Sequence, residues 1–215
     1  MKKLVIFDLD GTLLNTIADL AAASNHALAQ CGFPTHAPAS YPYFVGNGVT
    51  KLLERILPEE ERNDVNLQKM RHHFTDYYNE HCTDLTEPYP GIHDLLDHLT
   101  SEGISIAVAS NKYQSAVTRL IDAFFPHYKW AAVEGHKEGW PVKPDPSIVF
   151  DILSKCPTPK SDVLYVGDSG VDMDTARRAC VESCGVTWGF RSESELSDHY
   201  ADNIITTPAE LLRLV

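Results

Sequence analysis

The sequence predicts an α/β protein: a doubly wound, mostly parallel sheet with an all-helical domain inserted after the first strand. Three observations carry this reading. Short apolar runs without polar alternation, each closed by small or acidic residues, recur along the chain, as strands buried on both faces do. From residue 91 onward they alternate with helix-period patterns, which is how βα units wind on both faces of one sheet. Between Asn15 and about Thr83 the alternation stops and helical patterns dominate.

Leu4–Asp8 (LVIFD) is the first strand expected. Three helices should follow: Ile17–Gln30, closed by Gly32; Val49–Leu57, with Leu52, Leu53, Ile56 and Leu57 on one stripe; and Glu59–His81, long and polar, with Val65, Leu67, Met70, Phe74 and Tyr77 inside it. Tyr43–Val45 is a weak strand candidate within this stretch. Pro88 and Pro90 suit a stiff return linker, which divides the chain into a core of residues 1–14 and 84–215 and a helical cap of residues 15–83. In the core, helix Gly91–Gly103 carries Ile92, Leu95, Leu96 and Leu99 on one face before strand Ile104–Ser110. Helix Tyr113–Phe124, strand Trp130–Glu134, helix Pro146–Leu153, strand Val163–Asp168 and helix Ser169–Cys180 continue the series. Strand Ser183–Thr187, a weaker strand Asn203–Thr206, and a helix opening at Pro208 before Leu211 and Leu212 complete a Rossmann-type core.

Composition narrows the function classes. With 43% hydrophobic and 22% charged residues in 215, the chain has the balance of a soluble globular protein. Eighteen Lys and Arg against 30 Asp and Glu give a net charge of −12, so neither nucleic acid nor an anionic membrane surface is an expected partner. An anionic ligand would need a local cation or a metal ion. The five cysteines are odd in number, scattered and without a CxxC, so reduced thiols are expected rather than a disulfide framework or a zinc site. Asp8 interrupts the first apolar run too early for a secretory leader, and no window reaches a membrane-spanning length; a cytoplasmic monomer or homodimer is the expectation.

Chemistry concentrates where the strands end, which is where open α/β sheets bind ligands. The first strand runs into Asp8 and Asp10, two carboxylates that repel each other unless a cation intervenes or one is protonated, although aspartates also cap turns. The second long run ends in Ser110-Asn111-Lys112, whose hydroxyl, amide and backbone N–H groups suit a helix N-cap or a phosphate equally. Lys143 lies before Pro144 and Pro146; alone it reads as a solvated charge, but the prolines restrain its backbone. Gly167-Asp168-Ser169-Gly170-Val171-Asp172 again places acids at a strand end, where helix capping is the plainer use. Carboxylates converging from several strand ends call for a hard divalent cation, and their oxygen ligands point to Mg²⁺. A metal beside one lysine is what a phosphoryl group requires.

Phe7–Leu13 (FDLDGTL), Ser110–Lys112 (SNK), Lys143–Pro146 (KPDP) and Gly167–Ala176 (GDSGVDMDTA), in that order, resemble the haloacid dehalogenase superfamily, and the helical insert resembles its helical cap. The resemblance implies Asp8 as nucleophile, Asp10 as general acid and then base, and Lys143 as the balancing cation. It implies Mg²⁺ held by Asp8, the Asp10 carbonyl and Asp168, with Asp172 ordering a metal-bound water or supporting Lys143. Ser110 and the Asn111 N–H would bind phosphoryl oxygens, and Thr12 joins them as a substrate-binding candidate. An acid at position 10 favours phosphate-ester chemistry over carbon–halogen cleavage. The loop Val45–Leu53 with Pro88–Leu96 and SNK is similar to the phosphoglycolate phosphatase branch, although Val171 and Ser110 stand where asparagine and threonine are usual. Gly48, Lys51 and Arg55 are the cap residues picked out to meet a small phosphorylated metabolite; a plain turn and a solvated helix face are the competing readings. A sugar-phosphate phosphatase or hexose phosphate mutase is the alternative activity, and a phospho-accepting signalling domain a remote one. His72-His73 and the three tryptophans carry no chemistry on this reading.

Overall fold

The computed structural model describes residues 1–215. Strand β1 (Leu4–Phe7) is followed by a two-residue strand β2 (Leu14–Asn15) and three helices, α1 (Ile17–Gln30), α2 (Gly48–Ile56) and α3 (Asp64–His81). A two-residue β3 (Glu87–Pro88) returns to α4 (Ile92–Ser101), β4 (Ser105–Tyr113), α5 (Gln114–Phe124), β5 (Ala132–His136) and α6 (Ser147–Lys155). The chain closes with β6 (Val163–Gly167), α7 (Gly170–Ala179), β7 (Glu182–Val186), α8 (Glu193–Asp198), β8 (Asn203–Ile205) and a 3₁₀ turn at Pro208–Arg213.

Six strands form one wholly parallel sheet in the order β5-β4-β1-β6-β7-β8, as the sequence predicts. β1 lies at the centre, with Phe7 in register with Val108 on one side and Val166 on the other. Successive side chains divide between two cores. Val5 and Phe7 join Ile106, Val108, Leu164 and Val166 beneath α4 and α5, while Leu4 and Ile6 join Ala107, Tyr165, Val149 and Ala176 against α6 and α7. The first core continues without a break into the helical layer through Leu20, Leu53, Ile56 and Phe74. Because β4 and β6 flank β1, the chain reverses its winding direction there, and the carboxyl ends of these strands frame a crevice.

Several elements depart from expectation for local reasons. The long third helix is broken at its start: Glu59–Glu61 is a 3₁₀ turn, and Asn63 then caps α3 by accepting from the Asn66 N–H at 3.0 Å. Its buried stripe is Met70, Phe74 and Tyr78, so Tyr78 rather than Tyr77 is the inward residue, and Val65 is 62% exposed. Tyr43–Val45 is not a strand; Tyr43 ends a 3₁₀ turn at Pro38–Tyr43 and Phe44 and Val45 lead out of it. The C-terminal segment is 3₁₀ rather than α-helical.

The two chain crossings between sheet and helices run side by side. β2 and β3 pair antiparallel, with Leu14 opposite Pro88 and Asn15 opposite Glu87. Asp19, at the start of α1 and 2% exposed, reinforces the junction by accepting from Leu85 N, Thr86 N and Thr86 Oγ1 at 2.7 to 3.1 Å. Asp19→Ala strands the two Thr86 donors in a dry site and should cost on the order of 3 kcal/mol in urea unfolding. A loss below about 1 kcal/mol would show the linker is held by other contacts.

Candidate active site

Asp8 directly follows β1, its N–H donating to the Val166 carbonyl at 2.9 Å. One carboxylate oxygen, Oδ1, accepts from the Leu9 N–H at 2.7 Å and lies 2.9 Å from Lys143 Nζ; Oδ2 accepts no hydrogen bond from the protein. Lys143 is 2% exposed, and its ammonium is fully committed: to Asp8 Oδ1, to Asp172 Oδ1 at 2.7 Å and to the Ala109 carbonyl at 2.9 Å. The Lys143–Pro144 peptide bond is cis.

Asp172 is entirely buried and both its oxygens are occupied, Oδ1 by Lys143 and Oδ2 by Ser169 N and Oγ at 3.2 and 2.6 Å. Of its two expected roles the geometry matches support for Lys143. Gly167 makes room for it, since a Cβ there would fall 2.3 Å from the Asp172 side chain. Asp168 follows β6; its Oδ2 accepts from Phe190 N at 2.7 Å and its Oδ1 has no protein donor. Gly11, at φ +85°, and Gly189 close round it, and a Cβ on either would come within 2.3 Å of the Asp168 side chain.

Oxygens of Asp8, Asp168 and Asp172 all lie within 4.8 Å of one another. Burial, reinforced by Asp172 and Asp10 against Lys143, pushes the Asp8 carboxyl up to about 7. Burial and the two neighbouring carboxylates hold Asp168 well above the usual range. Burial alone would lower the Lys143 ammonium, but Asp172 and Asp8 outweigh it and hold it well above its ordinary value. Three carboxylates against one ammonium leave the pocket short of positive charge, and Asp8 Oδ2 and Asp168 Oδ1 are the unspent oxygens. A hard divalent cation fits this donor set.

The sign of the Asp8 shift gives a test on metal-free protein. Its native carboxyl titrates near 7 and its unfolded one near about 4, so native protein keeps a proton that the unfolded chain has lost. Its contribution to stability is greatest below about pH 4 and declines, by up to about 1.4 kcal/mol per pH unit, until pH reaches about 7. The melting temperature of Asp8→Asn relative to wild type should therefore rise between pH 5 and 7 and level off above. A difference independent of pH contradicts the assigned environment.

Asp10 points elsewhere. Its carboxylate accepts from Thr16 Oγ1 at 2.5 Å and from Lys112 Nζ at 2.9 and 3.1 Å, so its side chain is not among the clustered oxygens and only its backbone carbonyl is left for a metal. Ser110, Asn111 and Gly48 line a cavity between the strand ends and the helical layer. Leu20, Val45, Val49, Leu52, Phe74 and Tyr78 above and Tyr113 and Phe190 below supply its apolar lining, and Asp8, Asp10, Lys112, Asp168, Ser169 and Arg191 most of its polar lining. The Asn111 side chain clamps the lysine loop, accepting from Lys143 N at 2.7 Å and donating to its carbonyl at 3.1 Å. Gly48, at φ +80°, lets the cap loop approach, since a Cβ would sit 3.3 Å from the Asn111 carbonyl.

Three expected substrate contacts are not found on this wall. Lys51 lies on the outer face of α2, 2.6 Å from Glu54 and 56% exposed, because the stripe Leu52, Leu53 and Ile56 turns it to solvent. Thr12 is wholly buried, and its carbonyl, not its hydroxyl, is engaged, by Trp188 Nε1 at 3.1 Å. Arg55 donates to Phe44 O and Asn47 Oδ1 within the cap and does not line the cavity. Conversely, Lys112 and Thr16, to which the sequence pattern gives no role, hold the Asp10 carboxylate, and Arg191 is a third such residue. Arg191 bridges core and cap by donating to the Pro42 and Val45 carbonyls.

Sheet order, strand-end carboxylates and a helical cover define a hydrolase of the haloacid dehalogenase type. The Haloacid dehalogenase-like hydrolase family model matches residues 5–186, and the chain belongs to that family. It is similar to the phosphoglycolate phosphatase of Vibrio parahaemolyticus, 30% identical over 218 residues covering 99% of this chain and 96% of that one. The phosphoglycolate phosphatase of Agrobacterium fabrum is 33% identical over 195 residues, 88% of this chain and 82% of that one. The crystal structure of a candidate phosphoglycolate phosphatase from Lactobacillus delbrueckii subsp. bulgaricus superposes with a TM-score of 0.93 at 32% identity, over 100% of this chain and 98% of the other. No helix is long and apolar enough to cross a membrane.

Proposed function

We propose that the chain is a Mg²⁺-dependent phosphomonoester hydrolase that works through a phosphoaspartate at Asp8, with 2-phosphoglycolate the first substrate to test. The observation that carries this is the pairing of an unencumbered Asp8 Oδ2 with a dry, fully coordinated Lys143 at the sheet's switch point. Names of the similar proteins support the substrate class.

In the first half-reaction the Asp8 carboxylate attacks phosphorus in line, the P–O ester bond breaks, and Asp10 gives its proton to the departing alkoxide. In the second, Asp10 takes a proton from a water that attacks phosphorus, and the Asp8–phosphorus bond breaks to release inorganic phosphate. Lys143 offsets charge on Asp8 and the transferring group, held in place by Asp172 and Asn111. Ser110 Oγ and the Asn111 N–H orient phosphoryl oxygens. Asp8, Asp168 and the Asp10 carbonyl would hold the Mg²⁺, which would neutralise phosphoryl charge as the transition state forms. Residues 15–83 serve as the cap that shields this chemistry from bulk water, turning about the β2–β3 junction.

A phosphate-release screen over small phosphorylated metabolites, run with and without Mg²⁺, tests the proposal. Release that EDTA abolishes and added Mg²⁺ restores is the expected result. Conversion of one sugar phosphate to another without free phosphate would instead indicate a mutase, and turnover unaffected by chelation would overturn the metal assignment.

A further inference from the structure

We infer that Lys112 is the specificity-determining cation of this site, selecting phosphomonoesters that carry a carboxylate close to the ester carbon. The inference rests on the phosphatase reading and concerns the same cavity. Only Lys112 and Arg191 bring cationic side chains to its wall. Arg191 is spent on the Pro42 and Val45 carbonyls and faces Glu195 at 3.5 Å. Lys112 is different. Its ammonium has three protons, and the protein supplies two oxygen acceptors, the two of Asp10. The Tyr78 ring flanks the group, with its centroid 4.9 Å from Nζ. A donor is thus left for a ligand oxygen, on a lysine whose side chain is only 5% exposed and which shares the cavity wall with Leu20, Phe74 and Tyr78.

Placement follows from the sheet. Beyond Ala109 the register of β4 against β5 shifts, four residues of β4 spanning two of β5 before Tyr113 meets His136. This bulge lies at Ser110–Lys112, and bulges re-aim side chains. It sets Lys112 beside Asp10, whereas Lys143 serves Asp8. A compact substrate bound with its phosphorus facing Asp8 would direct its tail past Asp10 towards this ammonium. A carboxylate there gains a charge-assisted hydrogen bond, an alkyl tail gains none, and an ammonium tail is repelled.

Steady-state phosphate release with 2-phosphoglycolate, ethyl phosphate and phosphoethanolamine tests this in wild type, Lys112→Met and Lys112→Arg. Wild type should prefer them in that order. In Lys112→Met the ratio of kcat/KM for phosphoglycolate over ethyl phosphate should fall about 10- to 100-fold, mostly through KM, while Lys112→Arg should keep most of it. If Lys112→Met is too unstable to assay, Lys112→Gln should show the same fall in the ratio. Loss of kcat by one factor on both substrates, with the ratio intact, overturns the inference and leaves Lys112 as a support for Asp10. Absence of release from all three by wild type overturns the phosphatase reading, and the inference with it.

Discussion

Asp8→Asn should reduce metal-dependent phosphate release about 10⁴-fold or more while leaving a folded and somewhat more stable protein. The loss in rate follows because an amide has no anionic oxygen to attack phosphorus, and nucleophiles of this kind are worth such factors. The gain in stability follows from the same local charge balance. Asp8 is buried beside Asp172 and Asp168, and burial is the main reason its charged form is disfavoured. An asparagine keeps the shape and the Leu9 N–H partner but carries no charge to desolvate. Phosphate release and thermal melting on the same sample read both effects. An inactive but destabilised variant would point to a structural Asp8, and a fully active one would remove it from the chemistry.

Lys143→Met should be damaging in both respects. The methionine fills a similar volume, but it leaves Asp8 and Asp172 facing one another in a dry pocket, and it removes the donor to the Ala109 carbonyl. Breaking a buried ion pair from one side costs about 3–5 kcal/mol, and for a chain of this length that is a fall in Tm on the order of 10 °C. The deficit should shrink as pH is lowered from 8 to 5, since a protonated Asp8 no longer repels Asp172. Activity should fall by roughly 10³-fold or more even at temperatures where the variant is folded. A pH-independent deficit, or a variant as stable as wild type, contradicts the ion-triad account of this lysine.

Much of this was legible because burial on both faces leaves a plain mark. The strands read as apolar runs, and acids, amides or a hydroxyl at their ends read as a site before any coordinates. What escaped were relations set by distance along the chain or by a fraction of a helical turn. The Asn111 clamp on Lys143 joins positions 32 apart, and Asp19 meets Leu85 and Thr86 across the whole helical insert. Neither leaves a local pattern. Lys112 sits in the open in the SNK motif, yet its partner is decided by a bulge that no periodicity announces. In α3 the polar composition hid which of two adjacent tyrosines faces inward, and packing of Met70 and Phe74 settles it for Tyr78. Lys51 illustrates the converse: a cation beside a glycine-rich turn suggested a ligand, but the helix stripe that buries Leu52 turns it away.

Whether phosphorus is captured covalently by the β1 carboxylate can be read chemically. Acid quenching during turnover of 2-phosphoglycolate with Mg²⁺, followed by borohydride reduction, converts an aspartyl phosphate to homoserine, which peptide mass spectrometry locates. Homoserine at position 8, and there alone, only in samples given both substrate and metal, is the predicted outcome. Steady turnover with position 8 unmodified, or with the label on Asp10, Asp168 or Asp172, contradicts the central role assigned to Asp8.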